Sequence, residues 1–122
     1  MARVKGRDTK PELVVRRTLH ALGYRYRLHR KDLPGRPDLV FAGLSKVILV
    51  HGCFWHAHRC RYGLAVPKSN IDFWQDKFAK NTTRDRLVNR KLKGLGWQVH
   101  IVWECDVKRG SWLEKTLAFL ES

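Results

Sequence analysis

The sequence predicts one α/β (α+β) domain built on a mixed central β-sheet flanked by helices. Three observations carry this. Val47–Val50 is a near-continuous apolar run of strand length, which marks a central strand covered on both faces. Trp97, Val99, Ile101 and Trp103 alternate along a second strand. The stretches before and after them repeat their apolar residues at helical spacing and carry helix start and stop signals. At 122 residues the chain forms a single domain, 1–122, with one modest core, and residues 1–7 form a short basic arm. No internal repeat, low-complexity tract or linker divides it.

The first helix is placed at about Lys10–Leu22. Pro11 sits in its first turn, Thr9-x-x-Glu12 reads as a capping box, Val15, Leu19 and Leu22 follow helical spacing, and Gly23 is the stop. Tyr24, Tyr26 and Leu28 alternate with Arg25, Arg27 and His29, which predicts a half-buried strand. Leu33–Pro37 (LPGRP) is a rigid loop, because two prolines and a glycine forbid regular structure. Asp38–Phe41 makes a second strand, Gly43 a turn and Lys46–Val50 a third strand.

Arg61–Asn70 reads as a loop. Ser69-x-x-Asp72 opens a helical stretch through Phe73, Trp74, Lys77 and Phe78, and Asn81-Thr82-Thr83 is expected to interrupt it. A basic helix then runs from about Arg84 to Leu95 and ends at Gly96. The fourth strand spans Trp97–Trp103. Ser111-x-x-Glu114 reads as a capping box for a final helix with Trp112, Leu113, Leu117 and Leu120. The expected order is αβββααβα.

Lys+Arg of 25 against Asp+Glu of 11 leaves a net charge of +14, which concentrates phosphates and points to nucleic acid. A membrane surface fits less well, because the basic residues are spread over several elements. No apolar run is long enough to span a bilayer, and MARVKGRDTK has no signal-peptide core, so a cytoplasmic protein is the default expectation. Three cysteines in a reducing compartment suit thiolate ligation better than disulfides.

The chemistry-bearing residues concentrate at the end of the third strand, where His51–Cys60 holds three His and two Cys. Cys53, His58, Cys60 and the distant Cys105 make a Cys3His set of the kind that holds structural zinc, although the spacing is not that of a zinc finger. His51 and His56 are then left for proton transfer or phosphate binding. Asp38 enters an otherwise apolar strand, where an isolated charge is costly unless paired or metal-bound; with a backbone carbonyl and water it suits Mg²⁺. Glu12 is either a helix cap or an outer support of that metal site. Phe54, Trp55 and Trp74 are either core or a wedge that parts stacked bases.

HGCFWH-x-H-x-C, LPGRPDLVF, FW-x-x-K-x-x-x-N from Phe73 to Asn81 and GW-x-V-x-I-V-W-E-C from Gly96 to Cys105 resemble the very-short-patch repair endonuclease family, from about Arg7 to Arg109. The resemblance implies a restriction-endonuclease-like fold, related to the PD-(D/E)XK nucleases, with structural zinc. It implies an enzyme that nicks DNA 5′ of the thymine in a T:G mismatch. Carried over, Asp38 binds Mg²⁺ with the main-chain oxygen of Val50, His56 is the general base, His51 contacts the scissile phosphate, and Glu12 supports the metal through water. Cys53, His58, Cys60 and Cys105 hold zinc, and Phe54, Trp55 and Trp74 intercalate. The expected protein is bacterial, cytoplasmic and nucleoid-associated, a monomer on double-stranded DNA, with repair proteins as further partners.

Two alternatives stand beside this reading. One is a related nuclease without mismatch dependence, tied to a restriction–modification system or mobile element. The other is a zinc-stapled DNA-binding module without catalysis.

Overall fold

The computed structural model describes residues 9–52 and 71–122, so the N-terminal arm, the Cys53–Cys60 cluster and the expected 61–70 loop lie outside it. In chain order the elements are α1 (Lys10–Ala21), β1 (Arg27–Leu28), β2 (Leu39–Phe41), a 3-10 turn (Ala42–Leu44), β3 (Lys46–His51), α2 (Ile71–Gly94), β4 (Gln98–Trp103), α3 (Glu104–Arg109) and α4 (Trp112–Glu121). The sheet has the order β1-β2-β3-β4. Its first two pairs are antiparallel, while β3 and β4 run parallel from Lys46↔Gln98 to His51↔Trp103. A mixed sheet with flanking helices is the architecture the apolar run and the alternation predict. Among the described residues no helix is long and apolar enough to cross a membrane.

β3 is buried along nearly its whole length because each face of the sheet is covered. Alternation sends Leu39, Phe41, Ile48 and Val102 into one cluster with Val15 and Leu19 of α1 and Trp112 and Leu120 of α4. Val40 and Val47 point the other way, into a cluster with Leu33 and Leu92 of α2. Each such fully buried aliphatic contributes about 1.5–3 kcal/mol by removal from water. Lys46, which opens β3, is only 3% exposed. Its ammonium donates to the carbonyl oxygens of Phe119 (2.7 Å), Leu120 (3.1 Å) and Ser122 (3.0 Å), and so ties the C-terminal end of α4 to the sheet.

Several local expectations are corrected. α1 ends at Ala21, and Gly23 at φ +96° closes it as predicted, with the Tyr24 N–H donating to the Leu19 carbonyl at 3.1 Å. Its capping box does not form: Thr9 makes no side-chain cap bond, and the Glu12 carboxylate is turned to Arg16 and His29 instead. The predicted strand at Tyr24–Leu28 shrinks to Arg27–Leu28: the register sets Tyr26 opposite Phe41, the last residue of β2, and the 3-10 turn beyond it leaves Tyr24 and Arg25 no ladder partner. The two tyrosines still pack edge-on against Phe41, at 6.2 and 5.7 Å.

α2 is one helix of 24 residues that runs straight through Asn81-Thr82-Thr83. The poor helix propensity of those residues costs only a few tenths of a kcal/mol each, which burial of Phe78 and Leu92 at either side outweighs. The fourth strand stops at Trp103 as expected, and Cys105 lies in the first turn of α3. Ser111 caps nothing; its hydroxyl donates to Asp106 Oδ1 at 3.2 Å.

Candidate active site

The residues that matter meet at the carboxyl end of β3. Antiparallel pairing of β1 with β2 places His29 opposite Asp38, just beyond the last paired rungs, where the His29 N–H reaches the Asp38 carbonyl at 3.4 Å. His29 takes a left-handed backbone, φ +49°, at this point. Pairing of β2 with β3 brings Asp38 beside Val50, whose N–H donates to Asp38 Oδ2 at 2.6 Å. From the first turn of α1 comes Glu12, 1% exposed.

These three side chains form one cluster. His29 Nε2 lies 2.7 Å from Glu12 Oε2 and 3.7 Å from Asp38 Oδ1. One ligand atom from each of Glu12, His29 and Asp38 falls within 4.8 Å of the others. Arg16, one turn along α1, holds the same Glu12 oxygen at 3.1 Å. Burial pushes the Asp38 carboxyl up from its ordinary 3.8 to about 7; the Val50 N–H opposes the rise, and the Glu12 carboxylate reinforces it by charge and by hydrogen bond. A pair of carboxylates this close favours a cation beside it.

The cluster opens into a cleft of about 660 Å³ lined by His29, Asp38, Leu49, Val50 and His51 on one side. Its rim carries Lys31 and Arg36 from the segment around LPGRP and Arg84, Asp85 and Val88 from α2. The loop can lie against α2 because Gly35 has no side chain: a Cβ there would meet Val88 Cγ1 at 2.5 Å. The exposed cations Lys31, Arg36 and Arg84 give the mouth a positive edge suited to a phosphate backbone. His51 is buried in the wall, its ring edge-on to Trp103 at 5.2 Å.

Of the residues singled out in the sequence, Glu12, Asp38, Val50 and His51 come together here. Val50 meets Asp38 through its amide, and Glu12 stands beside His29 in the cluster itself. Cys53, Phe54, Trp55, His56, His58 and Cys60 lie outside the described residues. Cys105 is buried at the start of α3. Trp74 is half-buried between Phe73 at 5.2 Å and Phe78 at 6.1 Å, whereas Phe73 is 57% exposed with the Lys77 ammonium 5.8 Å from its ring centre. The sequence reading missed His29, Lys31, Arg36 and Arg84. His29 had a signal: folding the two predicted strands antiparallel across the LPGRP loop sets it against Asp38. Arg84 had none, because it reaches the cleft only if α2 continues unbroken.

Oxygen donors from two buried acids, with an imidazole between them, suit a divalent cation. Comparison with known proteins identifies the family. The family described as DNA mismatch endonuclease Vsr matches residues 1–62. The chain is 48% identical over 117 residues to the type II nicking enzyme V.XorIIP of Xanthomonas oryzae, covering 96% of this chain and 85% of that protein. It is 43% identical over 108 residues to the type II nicking enzyme V.NmeAIP of Neisseria meningitidis, covering 88% of this chain and 76% of that one. Identity is also 43% over 108 residues to the DNA mismatch endonuclease Vsr of Escherichia coli K12, covering 88% and 69% respectively.

Proposed function

The chain belongs to the Vsr family of DNA mismatch endonucleases and is a DNA endonuclease, and on that premise we propose that it nicks one strand of a duplex 5′ of the thymine in a T:G mismatch, with a divalent cation at Asp38. The observation that carries the reading is the meeting of Asp38, Glu12 and His29, with Asp38 and His29 lining a cleft that also carries exposed Lys31, Arg36 and Arg84.

Asp38, with the main-chain oxygen of Val50, would hold Mg²⁺, and Glu12, which meets the cluster directly, would join them in place of a support through water. Hard carboxylate oxygens are the ion's preferred donors, and the Asp38 carboxyl, pushed up by burial, gains from a cation in place of its proton. The ion would supply charge neutralisation on the phosphate and polarise the phosphorus toward attack. The chain's own groups do the rest. Lys31, Arg36 and Arg84 draw the phosphate backbone over the cleft. The Val50 N–H fixes one Asp38 oxygen at 2.6 Å, so the other can face the cleft. His51, held in the wall against Trp103, would donate to the phosphate. His56 would take the proton from the attacking water, an assignment supported by its place in HGCFWH. Cys53, His58, Cys60 and Cys105 would hold a structural zinc; the buried Cys105 thiol supports that set. Phe54, Trp55 and Trp74 would open the stack beside the mismatch, and the exposed ring of Phe73, 5.2 Å from Trp74, would add to that role.

A second reading, nicking without mismatch dependence, is favoured by the names of two relatives, which are type II nicking enzymes. The test of the catalytic assignment is direct. Asp38→Ala and His56→Ala should each abolish nicking of a T:G duplex while circular dichroism shows an intact fold. Full activity in either variant refutes its role.

A further inference from the structure

We propose that His29 is itself a ligand of the divalent cation, so that the site is a carboxylate–imidazole–carboxylate set of Glu12, His29 and Asp38 rather than a carboxylate site alone. The inference rests on the reading above that Asp38 holds a cation, and adds to it the identity of a donor.

Geometry is the first argument. Two donors bound to one cation at roughly 2.0–2.2 Å are never more than roughly 4.4 Å apart. The His29 nitrogen stands 2.7 Å from Glu12 Oε2 and 3.7 Å from Asp38 Oδ1, inside that limit for both. All three donor atoms fall within 4.8 Å, so small side-chain rotations gather them on one ion.

The second argument is the state of the nitrogen. His29 Nε2 is buried, yet despite its approach to Glu12 it makes no hydrogen bond of acceptable geometry. A buried ring nitrogen beside two carboxylates, close but not aligned for a proton, fits a lone pair aimed at an ion better than it fits a finished hydrogen bond. The third argument is charge: two carboxylates, Glu12 and Asp38, converge on one ring nitrogen, and a divalent cation balances such a set.

An imidazole donor has a consequence for metal choice. Mg²⁺ favours oxygen ligands, whereas imidazole strengthens binding of later first-row ions. The site should therefore hold Mn²⁺ and Co²⁺ more tightly than Mg²⁺, and His29→Gln should narrow that preference.

The test uses the full chain after chelator treatment, titrated with Mn²⁺ and followed by electron paramagnetic resonance. Pulsed measurements on the bound ion detect a directly coordinated nitrogen. The expected result is a nitrogen coupling in the wild type that changes on ¹⁵N-histidine labelling. It should vanish in His29→Gln and persist in His51→Gln and His56→Gln, with Mn²⁺ affinity lowered at least about tenfold in His29→Gln. The isotope experiment needs no substitution, so it stands even if a variant folds poorly. Mn²⁺ that binds, is lost in Asp38→Asn and shows no nitrogen coupling leaves the metal reading standing and overturns the role of His29. A coupling that survives His29→Gln overturns it equally. Failure of the wild type to bind Mn²⁺ overturns both readings.

Discussion

Replacing Asp38 by Asn should inactivate the enzyme and make the metal-free protein more stable at pH 8. Burial, with Glu12 beside it, holds the Asp38 carboxyl at about 7 in the folded chain against an ordinary 3.8. Below about pH 4 the folded and unfolded chains both keep the proton, and Asp38 costs nothing. Between 3.8 and about 7 the folded chain binds a proton that the unfolded chain has released, so stability falls as pH rises. Above about 7 the whole cost is in force. That interval, converted at roughly 1.36 kcal/mol per pH unit, comes to about 4 kcal/mol.

Asn keeps the shape and still accepts the Val50 N–H, though a neutral acceptor is weaker than a carboxylate. The expected gain for Asp38→Asn is therefore roughly 2–4 kcal/mol at pH 8, shrinking to nothing near pH 4. Urea denaturation followed by far-ultraviolet circular dichroism, in chelator, measures it. Mg²⁺ at a hundred times its dissociation constant should then stabilise the wild type by about 2.7 kcal/mol and leave Asp38→Asn unmoved. A variant that is no more stable than wild type at pH 8, or a difference that does not depend on pH, refutes the reasoning.

Other changes follow from the packing around the cleft. Gly35→Ala forces a side chain onto a residue at φ +72° and against Val88, so it should destabilise by about 2–4 kcal/mol in urea titration; adding Val88→Ala should recover the steric part alone. Lys46→Met removes the donor to three carbonyls at the end of α4 and should cost about 2–3 kcal/mol, with hydrogen exchange rising first in Trp112–Glu121. Arg36→Ala with Arg84→Ala should weaken duplex binding without regard to sequence, and should flatten the slope of log affinity against log salt by about 0.9 for each phosphate that is no longer neutralised. An unchanged slope would place the duplex elsewhere.

The parts of the fold that could be read in the sequence are those whose signal is local and repeated. α1 carries Pro11, two buried residues at helical spacing and Gly23, and β3 and β4 carry runs of six residues with strand character. The misreadings come from tertiary context. Asn81-Thr82-Thr83 looks like a break until Phe78 and Leu92 are buried around it, and Tyr24–Tyr26 looks like a strand until its partner turns away at Phe41. The site divides in the same way. Asp38 stood out because a carboxylate entering an apolar strand is costly unless paired, and His51 because the zinc set leaves it unassigned; the fold brings both to one cleft. Glu12 carried two meanings, and only the arrival of His29 from another element showed that its carboxylate serves the cluster and not the helix end. No spacing rule joins residues 12, 29 and 38; the register of β1 on β2 and the seat of α1 do.

The central claim is a metal-dependent nick directed by a mismatch. Its most direct test is a strand-labelled panel of duplexes that differ only in carrying T:G, the other mismatches or a matched T:A pair, incubated with Mg²⁺ and, in parallel, with chelator. The account predicts a single cut, 5′ of the thymine of T:G, in the T-containing strand, with Mg²⁺ only. Equal cutting of matched and mismatched duplexes would contradict the mismatch reading, and cutting that survives the chelator would contradict the metal at Asp38.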